Sequence, residues 1–92
     1  MARFQVLLWG DIPSVVKAFA DDGTSVSRQL DDWYQQEIDR EAMRHGLTGS
    51  DAYLEQWRWG EADDRPGTPE EVLDTVEQEL AAEFDARRKR VV

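Results

Sequence analysis

Ninety-two residues suffice for one domain and no second core, and a chain this size buries only somewhat more than about 60% of its unfolded surface. Twenty acidic residues against eleven basic give a net charge of −9; four of the eleven stand in RRKR (87–90), so the rest holds seven against twenty, a net −13. That body repels phosphate backbones, which argues against nucleic acid as a partner, and the absence of cysteine excludes a disulfide frame, a thiolate zinc site and a cysteine nucleophile.

The chain begins MARFQVLLWGD, whose apolar run is too short for a signal peptide, and no stretch approaches the roughly 20 apolar residues of a membrane span. A soluble, cytoplasmic protein with no membrane association is expected. RFQVLLW (3–9) places Phe4, Val6 and Leu8 on one face and Leu7 and Trp9 on the other, a strand with both faces partly covered. Gly10 and the Asp11-Ile12-Pro13 segment are expected to end it, because proline cannot donate to a ladder and restricts its predecessor. The next piece, SVVKAFADDGTSVSRQL (14–30), reads two ways over Val15–Ala20. As a helix it is barely two turns. As a hairpin it has Asp22-Gly23 for a type I′ turn and β-branched residues on either side, and the hairpin is preferred.

DDWYQQEIDREAMRHG (31–46) predicts a helix, with acidic residues at its start, Arg44 and His45 in the last turn and Gly46 just beyond. Tyr34, Ile38 and Ala42 share a stripe flanked by Trp33 and Met43, and Leu47 is placed to pack back on it. A short second helix is expected over 48–56, capped by Thr48 or Ser50, with Tyr53 and Leu54 inward. WRWGEA (57–62) reads as a strand and DDRPG (63–67) as its exit turn. In the last helix Thr68, Pro69 and Glu71 make a capping box, and Val72, Val76, Leu80 and Phe84 recur every four residues with Leu73 alongside. Arg87 to Arg90 then complement the negative end of that helix. The domain is expected to span 1–86, with 87–92 a basic tail.

Reactive constellations are scarce. His45 is the only histidine, and it follows Glu41 and Glu37 at intervals of four, so a metal pair at Glu41 and His45 would need a third ligand that nothing in the sequence selects. An ion pair near a helix end explains the same spacing. No glycine-rich phosphate loop or nucleophile elbow occurs. What stands out is the aromatic complement: Trp57 and Trp59 share a strand face with Arg58 on the other, and tryptophan and arginine anchor interfaces. Trp57 reads as the packing anchor. Trp59 and Arg58, with Trp9, Asp11, Ile12 and Pro13, read as a contact surface for a protein partner.

The motifs WGDIPS (9–14), IDREAMRHGLTGSDAYLEQWRWGE (38–61) and PGTPEEV (66–72) carry a resemblance. The chain is similar to the small bacterial "virulence factor" domains, which also occur fused to helical repeats in the conserved virulence factor C proteins. The central block follows that family's I-D-x-x-A-M-x-x-G-L-x-G-[ST]-D-x-Y-L-x-x-W pattern, in which the positions of Glu41 and His45 are open. The resemblance implies no catalytic residue and no cofactor. It does imply an alternative role, since stand-alone members lie near folate- and corrinoid-linked one-carbon enzymes: a small subunit of a demethylation or methylenetetrahydrofolate reductase-like complex, sharing a folate or corrinoid site.

The expectation is therefore an α+β fold, with a small mixed or antiparallel sheet of three to four strands and about three helices mainly on one face. The function expected is a non-catalytic accessory module that docks on a larger protein through its aromatic surface.

Overall fold

A computed structural model describes residues 2–47 and 51–90. One antiparallel sheet contains β1 (Ala2–Trp9), β2 (Ile12–Ala20), β3 (Ser25–Gln29), β4 (Trp57–Trp59) and β5 (Asp63–Arg65). The strand order is β3-β2-β1-β4, and β5 also pairs with β1, beside its first residues. The helices α1 (Asp32–Arg44), α2 (Asp51–Glu55), α3 (Pro69–Glu83) and α4 (Asp85–Arg90) complete the expected α+β architecture.

Asp11-Ile12-Pro13 begins a strand instead of closing one off. Gly10-Asp11 is a two-residue turn, Trp9 pairs with Ile12, and β2 starts at once. A bulge makes room for the proline: Leu8 pairs with Pro13 and Leu7 with Val15, so Ser14 is the extra residue. Strand starts and bulges are where a residue without an N–H fits. The Ser14 carbonyl accepts from the Leu30 N–H on its other side at 2.9 Å.

Val15–Ala20 is strand, paired on both edges, so the hairpin reading holds. Its turn differs from the type I′ expected. The Ala20 carbonyl accepts from the Gly23 N–H at 3.1 Å, and the Ala20 N–H donates to the Thr24 carbonyl at 2.9 Å. Only Gly23 in this loop has a positive φ, 91°. This is a three-residue loop with glycine in the left-handed position, whereas type I′ would force Asp22 there as well. Asp22 instead accepts the Thr24 N–H at 2.9 Å.

Asp31 caps α1 by accepting from the Trp33 N–H at 3.3 Å. The helix closes with a Schellman pair: the Gly46 N–H donates to the Met43 carbonyl at 3.2 Å and the Leu47 N–H to the Ala42 carbonyl at 2.8 Å. That geometry needs a positive φ at Gly46, which has 67°. Tyr34, Ile38 and Ala42 are buried as the stripe predicts, while Met43, about 100° round the helix from Ala42, is 72% exposed. For α2, the expected caps Thr48 and Ser50 lie outside the described residues. A helix of five residues buries only one side, so Tyr53 turns inward and Leu54 is exposed.

The strand at WRWGEA is limited to Trp57–Trp59, and Asp63–Arg65 is a strand where an exit turn is expected. Its acidic residues have little strand propensity, but β1 offers a free edge and specific partners. Arg3 Nε meets Asp64 Oδ1 at 3.2 Å, and the Arg65 guanidinium lies 5.3 Å from the centre of the Phe4 ring.

Thr68 and Glu71 form the capping box on α3, with reciprocal bonds of 3.0 and 3.2 Å. The bond from the Thr68 N–H holds the Glu71 carboxyl below its ordinary value. Cross-strand partners share a sheet face, so Phe4, Val6, Leu8, Val16, Ala18, Val26 and Arg28 look the same way. Helix α3 lies over that face, across β1, β2 and β3. Arg28 pairs with Asp74 and Glu77 of α3. Arg65 grips Glu79 through two bonds of 2.6 and 2.7 Å, which hold Glu79 below its ordinary value. Val72, Leu73 and Val76 are buried there, whereas Leu80 and Phe84 are only half-buried. The molecule measures 17 Å across its shortest axis, room for one helix layer on one sheet layer.

Candidate functional site

The face of the sheet opposite α3 is defined by the pairs Gln5–Lys17, Leu7–Val15 and Leu7–Trp59, with Phe19 opposite Arg3. One end is closed. Trp9 is 4% exposed; its Nε1–H donates to the Tyr53 carbonyl at 2.9 Å, and the two rings lie 5.5 Å apart. Trp57 meets Tyr53 edge-on with centroids 6.4 Å apart, so Trp57 is the packing anchor. Beyond Tyr53 the face is open: Leu7, Val15 and Phe19 are half-buried, and Trp59 is 48% exposed.

The six residues Gln5, Leu7, Val15, Lys17, Phe19 and Trp59 include no carboxylate, in a chain that carries twenty. The one formal charge among them is Lys17, whose Nζ lies 5.8 Å from the centre of the Phe19 ring. Towards the rim, Arg3 is neutralised by Asp64. Interfaces have this character, with charge depleted at the centre and aromatics enriched.

A second concavity lies on the helix side, a groove of about 380 Å³ between the sheet and the last turns of α3. Val6, Leu8, Pro13, Leu80 and Phe84 give it an apolar lining, and Asp11, Arg58, Glu61 and Glu83 surround them. The Arg58 guanidinium donates to the Gly10 carbonyl at 3.3 Å.

A third cluster gathers around Arg87, the first residue of the expected tail. The side chain of Glu37 is only 4% exposed and is held by Arg87 Nε at 3.2 Å and Arg40 Nε at 3.4 Å. Arg87 also reaches Glu41 Oε1 at 3.4 Å and Asp11 Oδ2 at 3.5 Å. Its function in the fold is to neutralise carboxylates on another helix. The helix α3 that it was expected to cap ends at Glu83, before α4 begins. This role leaves no local signal in the sequence, because Arg87 and Glu37 lie 50 residues apart.

The six residues expected to form one contact surface are thus divided. Trp59 lies on the open face. Asp11, Pro13 and Arg58 line the groove on the other side. Trp9 and Ile12 are buried and present no surface. Glu41 and His45 do meet, with His45 Nε2 3.4 Å from Glu41 Oε2, but Glu41 is already shared by Arg44 and Arg87. Where a metal ion would gather Glu37 and Glu41, the Arg87 guanidinium does so. Among the described residues no group of three or more histidine, cysteine, aspartate or glutamate side chains is arranged to hold a metal, and no helix is long and apolar enough to cross a membrane.

Residues 7–92 match the family described as virulence factor, and the chain belongs to that family. Neither a curated protein nor a solved structure matches it.

Proposed function

We propose that this virulence factor family member is a cytoplasmic, non-catalytic accessory module that docks on a larger protein through the open sheet face. The observation that carries this reading is the carboxylate-free patch of Leu7, Val15, Phe19 and Trp59 in a chain of net charge −9. An antiparallel sheet usually turns polar side chains to water on its uncovered face. Here, beside the polar Gln5, Lys17, Ser25, Ser27 and Gln29, it also turns out a tryptophan, a phenylalanine and two aliphatic side chains.

The occupant this surface fits is an apolar protein surface with a carboxylate or carbonyl opposite Lys17. A second copy of the chain is a poorer match, because each brings a net −9 and the two repel. Trp59 supplies the large rigid anchor around which such interfaces concentrate their energy. Nothing among the described residues favours the folate- or corrinoid-linked subunit over this reading.

Affinity purification of the tagged chain from its native host, followed by sizing and mass spectrometry, tests the proposal. A partner in stoichiometric amount should be recovered, and both Trp59→Ala and Lys17→Glu should lower its yield. A lone monomer, or a partner retained equally by both variants, would overturn it.

A further inference from the structure

We propose that the groove between the sheet and the last turns of α3 binds a cationic peptide segment by taking in one of its bulky apolar side chains. This goes beyond docking on the open face, because no residue of that face lines the groove. The cavity arises where α3 draws away from the sheet. Its first turns bury Val72, Leu73 and Val76, whereas Leu80 and Phe84 remain half-buried, as do Val6 and Leu8 of β1. Strand β4 forms the sheet edge here and is only three residues long, so the groove stays open on that side. Its volume of about 380 Å³ lies at the low end of the about 300–1,000 Å³ typical of ligand pockets. That suits one or two side chains and not a dinucleotide-sized cofactor.

The charge around the opening selects the sign of the occupant. Three carboxylates, Asp11, Glu61 and Glu83, stand against one lining guanidinium, Arg58, which is already engaged by the Gly10 carbonyl. Glu61 and Glu83 are exposed, and none of the described side chains pairs with either. Asp11, whose side chain is 82% exposed, has only Arg87 at 3.5 Å. Anionic ligands are repelled by this rim, and a neutral apolar ligand leaves it unmatched. Lysine or arginine flanking an apolar side chain satisfies both rim and lining.

The test is an amide chemical-shift titration of the full chain with a short blocked peptide of alternating lysine and leucine. A glutamate–leucine peptide and an oligolysine serve as the comparisons. Saturable shifts should appear at Leu8, Gly60, Glu61 and Phe84 with the lysine–leucine probe, and none with the glutamate one. The exposed pair Glu61→Lys and Glu83→Lys should together weaken binding at least about tenfold while leaving the remaining spectrum folded. Trp59→Ala should leave peptide binding unchanged, which separates this site from the open face. The proposal is overturned by no saturable binding, by shifts centred on Leu7 and Phe19, or by oligolysine binding as well as the lysine–leucine probe. The last outcome would mean attraction to the acidic surface as a whole.

Discussion

Replacing Arg87 with methionine should cost this domain about 2 kcal/mol. Both oxygens of the buried Glu37 carboxylate are engaged, Oε2 by Arg87 at 3.2 Å and Oε1 by Arg40 at 3.4 Å. Removing the sole partner of a buried charge costs about 3–5 kcal/mol, and here Arg40 remains, which roughly halves the loss. The other Arg87 contacts add little: Asp11 is largely exposed, and Glu41 keeps Arg44 at 2.5 Å. Methionine keeps an unbranched apolar stem of similar length, while the guanidinium that lies 5.8 Å from the centre of the Phe84 ring is lost with the charge. A domain of this length has about 5–14 kcal/mol in total, and each kcal/mol moves the midpoint by about 4–8 °C, so a fall of about 8–16 °C is expected. Urea and thermal unfolding followed by tryptophan fluorescence and circular dichroism measure it. The double variant with Glu37→Gln should recover at least about half the loss, since no buried charge is then left unpartnered. A chain cut after Ala86 should be no more stable than Arg87→Met, whereas a self-sufficient 1–86 domain would match the full chain. An Arg87→Met effect within about 0.5 kcal/mol of zero, or strict additivity with Glu37→Gln, would refute the clamp.

Ile38→Ala should cost about 2–5 kcal/mol because Ile38 is wholly buried, while Met43→Ala on the same helix, 72% exposed, should stay within about 0.5 kcal/mol by urea denaturation. The Glu71 carboxylate accepts the Thr68 N–H, which lowers its pKa from the ordinary 4.5. Its contribution is therefore full above about pH 4.5 and disappears as the pH falls through the lowered value, so the stability gap between wild type and Glu71→Gln should be constant near neutrality and close in acid. A gap that widens in acid would contradict this sign.

The elements legible in the sequence are those whose signals are local. Thr68, Pro69 and Glu71 announce α3 within four residues, and the Tyr34, Ile38 and Ala42 spacing names the buried side of α1. The elements that escaped depend on distant neighbours. Pro13 reads as a strand breaker until the bulge at Ser14 is known, and Asp63–Arg65 becomes strand only because Arg3, Phe4 and Glu79 wait for it. Strand alternation correctly places Trp57 and Trp59 on one face with Arg58 on the other. Which of those faces α3 would cover has no local signal, so one expected contact surface became an open face and a separate groove. Arg87 reads as a cation at a helix end because nothing in its neighbourhood points to Glu37.

The most direct measurement of the central claim is chemical footprinting of the chain, free and in the complex recovered from its host. Lysine acylation and tryptophan oxidation should be suppressed at Lys17 and Trp59 on complex formation, with Met43 oxidising at an unchanged rate. Lys17 and Trp59 reacting as fast in the complex as in the free chain, with protection elsewhere, would contradict docking through the open sheet face.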